Sequence, residues 1–326
     1  MKLIKILLIN FLILLFVLVV SEAICFFQYK MRFADLIDMQ SRNMASTEEG
    51  INEAKKHLAV RYKKPFFIPI PPMDASDRIY QGTNSKKPII VVGCSYAYGI
   101  CLDRNDNLSA KLNQKTGRKV YNRAISGSGP QFMYLQLKSK GLGQEIKDAE
   151  YVIYPFIYSH ISRSFKHLMN YSLTDINPLL EEKNGELVVK KQPLWFLYPS
   201  FITKVYLQYS DEQNERKEMD QGKPLFFKTL EESYKEAKKK YPNVKFVLIE
   251  VSQANMCRPD YKKGSQELTE DEINRIKSMG IIYLNAEQLV GHDFRDVKKY
   301  RVADEDHPNA KMWDEISTKL VEKLKM

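Results

Sequence analysis

A continuous apolar segment, Ile89–Val92, ends at Gly93 and restricts the fold of this chain more than any other feature. A strand that is apolar at consecutive positions buries both of its faces, which is typical of an inner strand of a parallel sheet. Parallel strands need crossover connections, usually helices, so the segment predicts alternating strands and helices. The predicted further strands are 119–122, 151–157, 244–251 and 281–284, and the predicted helices are about 107–116, 131–138, 228–240, 269–279 and 311–325.

This alternation predicts an α/β fold, with three α/β/α layers around a mostly parallel, doubly wound sheet of the flavodoxin-like kind. We expect one domain over residues 86–326. Residues 165–225 interrupt the alternation and predict an insertion with a hairpin turn at Asn184–Gly185, placed over the sheet edge or over the site. Residues 28–85 are charged and then rich in proline, which predicts a stalk leading into an extended segment that wraps the domain.

The N-terminal segment, residues 1–27, is almost entirely apolar after Lys2 and Lys5. Its length suffices to cross a hydrocarbon core of about 30 Å. We interpret it as an uncleaved membrane helix with its N-terminus inside. The alternative is a signal peptide, because Ser21 and Ala23 have the small-x-small spacing of a cleavage site. Both interpretations place the globular domain outside the cytoplasmic membrane, in the periplasm or at the cell surface.

Charge and cysteine content argue against several other classes of function. The net charge is +10, but the lysines are dispersed, and the densest group lies on the predicted helix 228–240 among glutamates. Such interleaving is typical of a solvated helix face, so we expect no nucleic-acid partner. None of the four cysteines forms a C-x-x-C pair, so we predict no metal site and no cofactor. A disulfide between Cys101 and Cys257 stays open at this stage, and Cys94 is expected to be a small apolar filler.

Chemistry in an open parallel sheet gathers in the loops at the carboxyl ends of the strands. Ser95 follows the first predicted strand on a tight strand-to-helix turn, where its hydroxyl and its own N–H face outward together. Asp304 and His307 precede the last predicted helix. A histidine can deprotonate a serine, and a carboxylate three residues earlier can orient the imidazole. These residues predict a serine hydrolase triad.

The motif Gly93-x-Ser95-x-x-x-Gly99 resembles the first conserved block of the SGNH (GDSL-like) hydrolases, with Cys94 in place of the usual aspartate. The Asp304-x-x-His307 motif is similar to their last block. The resemblance covers about residues 86–326 apart from the insertion. It implies that the triad of serine, aspartate and histidine is catalytic.

The second and third blocks concern the oxyanion hole, the set of donors that stabilises negative charge on the substrate. Residues 120–127 resemble the second block, which implies that the N–H of Gly127 acts there beside that of Ser95. The third block departs from the family, whose members carry Gly-x-Asn-Asp. Here Ser159 and His160 take the positions of the asparagine and the aspartate, and either side chain can donate a hydrogen bond. Arg163 is expected to pair with an acid on a following helix, with an anionic substrate group as the alternative.

These features predict a serine ester hydrolase or O-acyltransferase acting on an acylated, most simply acetylated, extracytoplasmic glycan or another small ester. A lipase-like enzyme acting on membrane lipids is a third possibility. The main alternative is a glycan-binding module that keeps the SGNH-like fold but has lost efficient catalysis, because Cys94 replaces the usual aspartate, the usual asparagine is missing and the insertion is large. The sequence does not distinguish hydrolysis from acyl transfer.

Overall fold

The structure is a computed structural model that describes most of the predicted domain and an N-terminal helix. The described residues are 2–31, 78–83, 85–100, 102–164, 180–189, 222–251, 267–294, 296–302 and 307–326. Asp304, Cys101, Cys257, most of the predicted stalk and most of the predicted insertion lie outside these ranges.

Helix α1 (Lys2–Met31) contains the stretch Ile4–Ile24, whose 21 residues are long and apolar enough to cross a membrane. Its large apolar side chains are exposed, as at Phe16, where 69% of the surface is accessible. The described domain therefore does not cover them. A signal sequence near the N-terminus has the same properties, so cleavage and topology stay predictions.

A six-stranded sheet forms the centre of the domain. Its strands are β1 (Ile79–Tyr80), β2 (Ile89–Val91), β3 (Val120–Asn122), β4 (Tyr151–Phe156), β7 (Lys245–Glu250) and β8 (Ile282–Asn285), while β5 (Leu180–Lys183) and β6 (Glu186–Val189) form a separate hairpin. The order across the sheet is β1-β3-β2-β4-β7-β8, and every pair is parallel except β1 with β3. Without β1 this is the flavodoxin-like order 2-1-3-4-5, so the predicted fold class is confirmed.

Eleven helices are described, and most of them cover the two faces of the sheet. After α1 they are α2 (Ser95–Tyr98), α3 (Leu108–Thr116), α4 (Pro130–Lys138), α5 (Lys140–Glu145), α6 (Ser159–Arg163), α7 (222–240), α8 (Glu270–Ser278), α9 (Ala286–Val290), α10 (Val297–Tyr300) and α11 (Ala310–Leu324). Successive strand residues alternate between two cores, as Ile89 and Ile90 do. Helices α3 and α11 pack on the first core, and α4, α5, α7 and α8 pack on the second. These are the three predicted layers.

Local signals set the helix ends close to their predicted positions. Asn107, Thr269 and Asn309 cap α3, α8 and α11 by accepting a hydrogen bond from a backbone N–H in the first turn. Helix α7 differs, because it begins at residue 222, inside the predicted insertion. Pro224 does not prevent this earlier start, since the first-turn N–H groups of a helix have no intrahelical partner.

The described part of the insertion is the β5–β6 hairpin. Its turn residues Asn184 and Gly185 have φ values of 54° and 79°, as the predicted two-residue turn requires. The hairpin packs Leu180 and Leu187 against α4, and Tyr134 of α4 donates a hydrogen bond to the Leu187 carbonyl at 3.2 Å. This part of the insertion therefore packs on a helix of one of the two outer layers.

Regular structure also begins before residue 86. Strand β1 pairs with β3, and the buried Arg78 donates a hydrogen bond to the Ala124 carbonyl. The guanidinium of Arg78 also lies 5.1 Å from the ring centre of Tyr98. The end of the predicted extended segment thus joins the sheet and contacts the loop after β3.

Candidate active site

The tight turn between β2 and α2 presents Ser95 at the carboxyl edge of the sheet. Gly93 has a φ of 138°, and a Cβ there would lie 3.1 Å from the Cβ of Ala97. Gly99 ends α2 with a φ of 84°, where an added Cβ would lie 2.4 Å from the Cβ of Asn107. Both glycines are required by backbone conformation and by lack of space. Their spacing fixes the length of α2 and hence the placement of Ser95.

The loop after β3 is hydrogen-bonded to this turn. The Gly93 carbonyl accepts hydrogen bonds from the Ile125 N–H at 2.8 Å and from the Ser128 hydroxyl at 3.0 Å. Gly127 lies between these two donors with a φ of 70°, so its conformation also favours glycine. The second block therefore lies directly beside the first.

Asn122 makes a further connection between the same two loops. Its amide donates to the carbonyls of Ala97 at 3.0 Å and Tyr98 at 3.4 Å, and its oxygen accepts from the Ala124 N–H at 3.1 Å. The residue is 1% exposed. Helix α2 is so short that its last carbonyls lack intrahelical partners, and Asn122 supplies one.

His307 is held by a short antiparallel pairing just before α11. The Val302 N–H donates to the His307 carbonyl at 3.0 Å, and the Asn309 N–H donates to the Tyr300 carbonyl at 3.0 Å. Asn309 is also the N-cap of α11. The backbone on both sides of His307 is therefore fixed to the body of the domain.

The fold brings Ser95 and His307 together across 212 positions of sequence. The distance between Ser95 Oγ and His307 Nε2 is 2.8 Å. With the imidazole proton on Nδ1, Nε2 accepts the hydrogen of the serine hydroxyl. The ring of Tyr96 lies beside the imidazole, with 5.2 Å between ring centres. Ser95 is 7% exposed, whereas His307 is partly exposed.

Arg301 places a buried positive charge on the His307 side of the site. It is 4% exposed, and its backbone pairs with Pro308. Burial lowers the pKa of Arg301 to about 10, while the nearby Tyr96 and Glu287 act in the opposite direction. The guanidinium therefore remains charged at neutral pH.

The structure separates the two side chains that were predicted to replace the usual asparagine. Ser159 is partly exposed at the start of α6, whereas His160 is completely buried. The Nδ1 of His160 lies 2.7 Å from the Tyr154 hydroxyl, and the two rings are stacked with 5.4 Å between their centres. His160 thus packs in the core behind the site, whereas Ser159 is partly exposed as a residue, with its Oγ atom buried.

The environment of His160 keeps its imidazole neutral. Burial, and secondarily the charge of Arg163, hold the pKa of His160 well below 6.5. Burial likewise raises the pKa of Tyr154 well above its usual value. The pair is consequently a neutral, hydrogen-bonded part of the core.

In the described part of the chain Arg163 contacts the loop after β3; the expected acid partner stays a prediction, because residues 165–179 lie outside the described ranges. Its Nη1 donates to the Ser128 carbonyl at 3.0 Å, and its own carbonyl accepts from the Gln131 amide at 2.8 Å. In the strand order β2 lies between β3 and β4, so the loops after all three strands lie at the same carboxyl edge of the sheet. Asn122 and Ser128 were also not predicted. The sequence signal that could have indicated Asn122 is a polar residue at the end of an apolar predicted strand.

Within the described ranges, no group of three or more histidine, cysteine or acidic side chains could hold a metal ion. Cys94 is a buried free thiol whose Sγ lies 4.0 Å from Ser95 Oγ. The groups available for chemistry are therefore a serine hydroxyl, an adjacent imidazole and nearby backbone N–H groups. With the sequence blocks, this geometry gives the described part of the chain an SGNH-like (GDSL-like) hydrolase fold.

No protein-family model and no curated protein matches the sequence. Solved structures do resemble it. A member of the lipolytic protein G-D-S-L family from Veillonella parvula is 11% identical, with 74% of this chain and 99% of that chain covered and a TM-score of 0.43. A carbohydrate esterase family 2 enzyme from Corynascus thermopiles is 13% identical, with 79% and 68% covered and a TM-score of 0.41. A salicylyl-acyltransferase from a tetracycline biosynthetic pathway is 12% identical, with 74% and 56% covered and a TM-score of 0.40. At these scores the likeness assigns no activity and no residue's role.

Proposed function

We propose that the chain is a serine ester hydrolase or O-acyltransferase in which Ser95 is the nucleophile and His307 is the general base. The 2.8 Å contact between Ser95 Oγ and His307 Nε2 carries this proposal, because it is the geometry that proton transfer requires. As Ser95 Oγ bonds to the ester carbonyl carbon, its proton passes to Nε2. The tetrahedral intermediate then expels the alcohol, which takes that proton, and leaves an acyl group on Ser95.

The second half of the reaction uses the same imidazole. His307 removes a proton from the acceptor, whose oxygen bonds to the acyl carbon. The second tetrahedral intermediate then breaks its bond to Ser95 Oγ, which takes that proton from Nε2. Water as acceptor gives hydrolysis, and a glycan hydroxyl gives acyl transfer. Asp304, three residues before His307, has the predicted role of orienting the imidazole through its other ring nitrogen.

Stabilisation of the oxyanion is assigned to the N–H groups of Ser95 and Gly127, with the Ser159 hydroxyl as third donor. The bonds from Ile125 and Ser128 to the Gly93 carbonyl hold the two loops that carry these N–H groups side by side. A donor of this kind contributes about 10²–10³ in rate. Because His160 is buried, we leave it out of this set, and its proposed part is to support the loop.

The proposed substrate is an acylated extracytoplasmic glycan, with an acetyl ester as the simplest case. The exposed apolar stretch of α1 supports this choice, since a membrane helix would keep the domain near envelope polymers. Other small esters fit the same chemistry. We propose that the domain faces the extracytoplasmic side.

The test uses the full-length chain in mild detergent and a fluorophosphonate probe, which reacts covalently with activated serines. We expect labelling of the wild type and none of Ser95→Ala. Ser109→Ala is the matched control, because Ser109 is also a buried serine in the first turn of a helix. Labelling that persists in Ser95→Ala would remove Ser95 from its role.

A second pair of variants tests the base. His307→Asn should abolish labelling, whereas His292→Asn should not, although His292 Nε2 likewise has a side-chain oxygen at hydrogen-bond distance, that of the Glu315 carboxylate at 2.9 Å. If the wild type neither reacts with the probe nor hydrolyses aryl acetates, the catalytic proposal fails. Binding of acetylated glycans without turnover would then favour the binding module, and a preference for long acyl chains among aryl esters would favour lipids.

A further inference from the structure

Helix α6 stands where the SGNH-like proteins carry their Gly-x-Asn-Asp segment, and its two sides face different surroundings. Ser159 and Arg163 are four residues apart, so they share one side of the helix. That side faces the loop after β3, which Arg163 contacts. His160 lies one residue on from Ser159, roughly 100° around the helix, and packs against Tyr154 in the core. The helix therefore has one side in the core and the other against the loop of Gly127.

The contact between α6 and this loop is close and has several parts. Arg163 Nη1 donates to the Ser128 carbonyl at 3.0 Å, and the Gln131 amide donates back to the Arg163 carbonyl at 2.8 Å. A Cβ added to Gly129 would lie 2.9 Å from the Cβ of Arg163. Ser128 in turn bonds through its hydroxyl to the Gly93 carbonyl at 3.0 Å. A continuous chain of contacts thus runs from α6 to the turn before Ser95.

We propose that Arg163 is a positioning residue that sets the N–H of Gly127 at the oxyanion position, which rests on the function proposed above. Ser128, the residue after Gly127, accepts a hydrogen bond from Arg163 at its carbonyl and donates one from its hydroxyl to the Gly93 carbonyl. These two bonds hold the turn on the side after Gly127, and the bond from the Ile125 N–H to the Gly93 carbonyl holds it on the side before. Arg163 is partly exposed, and its guanidinium also adds a positive charge to the loop that carries the Gly127 N–H. In this chain, therefore, helix α6 after β4 positions the Gly127 N–H in the loop after β3.

The test compares three full-length variants in detergent with the wild type. Arg163→Met keeps the stem that packs on Gly129 and removes the charge and the hydrogen bond. Arg163→Lys keeps the charge and one donor. Arg118→Met is the matched control, because Arg118 Nη1 also donates to a loop carbonyl, that of Lys87 at 2.8 Å, at the opposite edge of the sheet.

We expect Arg163→Met to lower both the fluorophosphonate labelling rate and kcat for an aryl acetate by about 10- to 100-fold, with KM unchanged. Arg163→Lys should recover part of the loss. Arg118→Met should lower the melting temperature and leave the labelling rate unchanged. Wild-type labelling rates in Arg163→Met, an equal loss in Arg118→Met, or a raised KM with unchanged kcat would each overturn the proposal.

Hydrogen exchange separates this inference from the proposed function. The Ser128 N–H donates to the Ile125 carbonyl at 3.1 Å, and Arg163→Met should raise exchange in the peptide spanning 125–130. If the wild type does not label, the proposed function fails, and faster exchange still shows that Arg163 positions the loop. If the wild type labels and neither exchange nor rate changes in Arg163→Met, the function stands and the positioning role is refuted.

Discussion

Replacing Asn122 by alanine removes a buried amide that ties the helix of Ser95 to the end of β3. The amide donates to the carbonyls of Ala97 and Tyr98 and accepts from the Ala124 N–H, with its shortest contacts at 3.0 and 3.1 Å. The side chain is 1% exposed, so water does not readily replace these bonds in the variant. A net hydrogen bond contributes about 1 kcal/mol, and a buried group left unpaired costs about 1–3 kcal/mol. We expect Asn122→Ala to lower the free energy of unfolding by about 2–4 kcal/mol.

The matched control is Asn113→Ala. The amide of Asn113 also donates to two carbonyls, those of Gln81 and Arg118, both at 2.7 Å, but its side chain is partly exposed. Water can replace these bonds, so a loss of about 1 kcal/mol or less is expected. Urea unfolding of the full-length variants in detergent, followed by circular dichroism, measures both values. The labelling rate should fall only in Asn122→Ala. Equal losses of stability in the two variants would refute the reasoning from burial.

Two buried titratable groups give predictions about pH. Burial and the nearby charge of Arg163 lower the pKa of His160, so the unfolded chain binds the proton more readily. Stability should therefore fall as pH drops below about 6.5, and His160→Gln, which can still bond to Tyr154, should flatten that dependence in acid denaturation. Burial raises the pKa of the Glu250 carboxyl despite its hydrogen bond from Tyr283, so the folded chain binds this proton more readily. The stability that Glu250 contributes is present below about pH 4.5 and is lost as pH rises through the folded-state pKa. Glu250→Gln should therefore raise the melting temperature at pH 7. An unchanged or lower melting temperature would contradict the raised pKa.

Much of the fold follows from patterns confined to short stretches of sequence. The apolar segment at Ile89–Val92 predicted a strand buried on both sides, and the Asn184–Gly185 pair predicted the hairpin turn with both φ values positive. Helix α7 was predicted to start six residues too late, because the sequence between 165 and 225 lacks a clear period. The two phenylalanines of its first turns, Phe226 and Phe227, are buried against the sheet, which only the packed fold makes visible.

Part of the candidate site was likewise predictable from short stretches of sequence, and part was not. Ser95 and His307 were predicted from separate motifs, and the glycines at 93, 99 and 127 have the positive φ values that explain why their blocks carry glycine. The sequence treated Ser159 and His160 as equivalent donors, because it did not show that a helix starts at this point. One step along that helix turns His160 into the core and leaves Ser159 partly exposed.

The sequence by itself determined the parts of this protein whose causes are local: strand and helix periods, caps, turns and the residue types that can carry out acyl transfer. The tertiary structure alone decided which of those parts meet. Strand order places the loops after β2, β3 and β4 side by side at the switch point, and the pairing before α11 sets His307 within 2.8 Å of Ser95. Arg163 contacts Ser128 for the same reason. Contacts between distant segments depend on crossovers and register, which are properties of the assembled sheet rather than of any single segment.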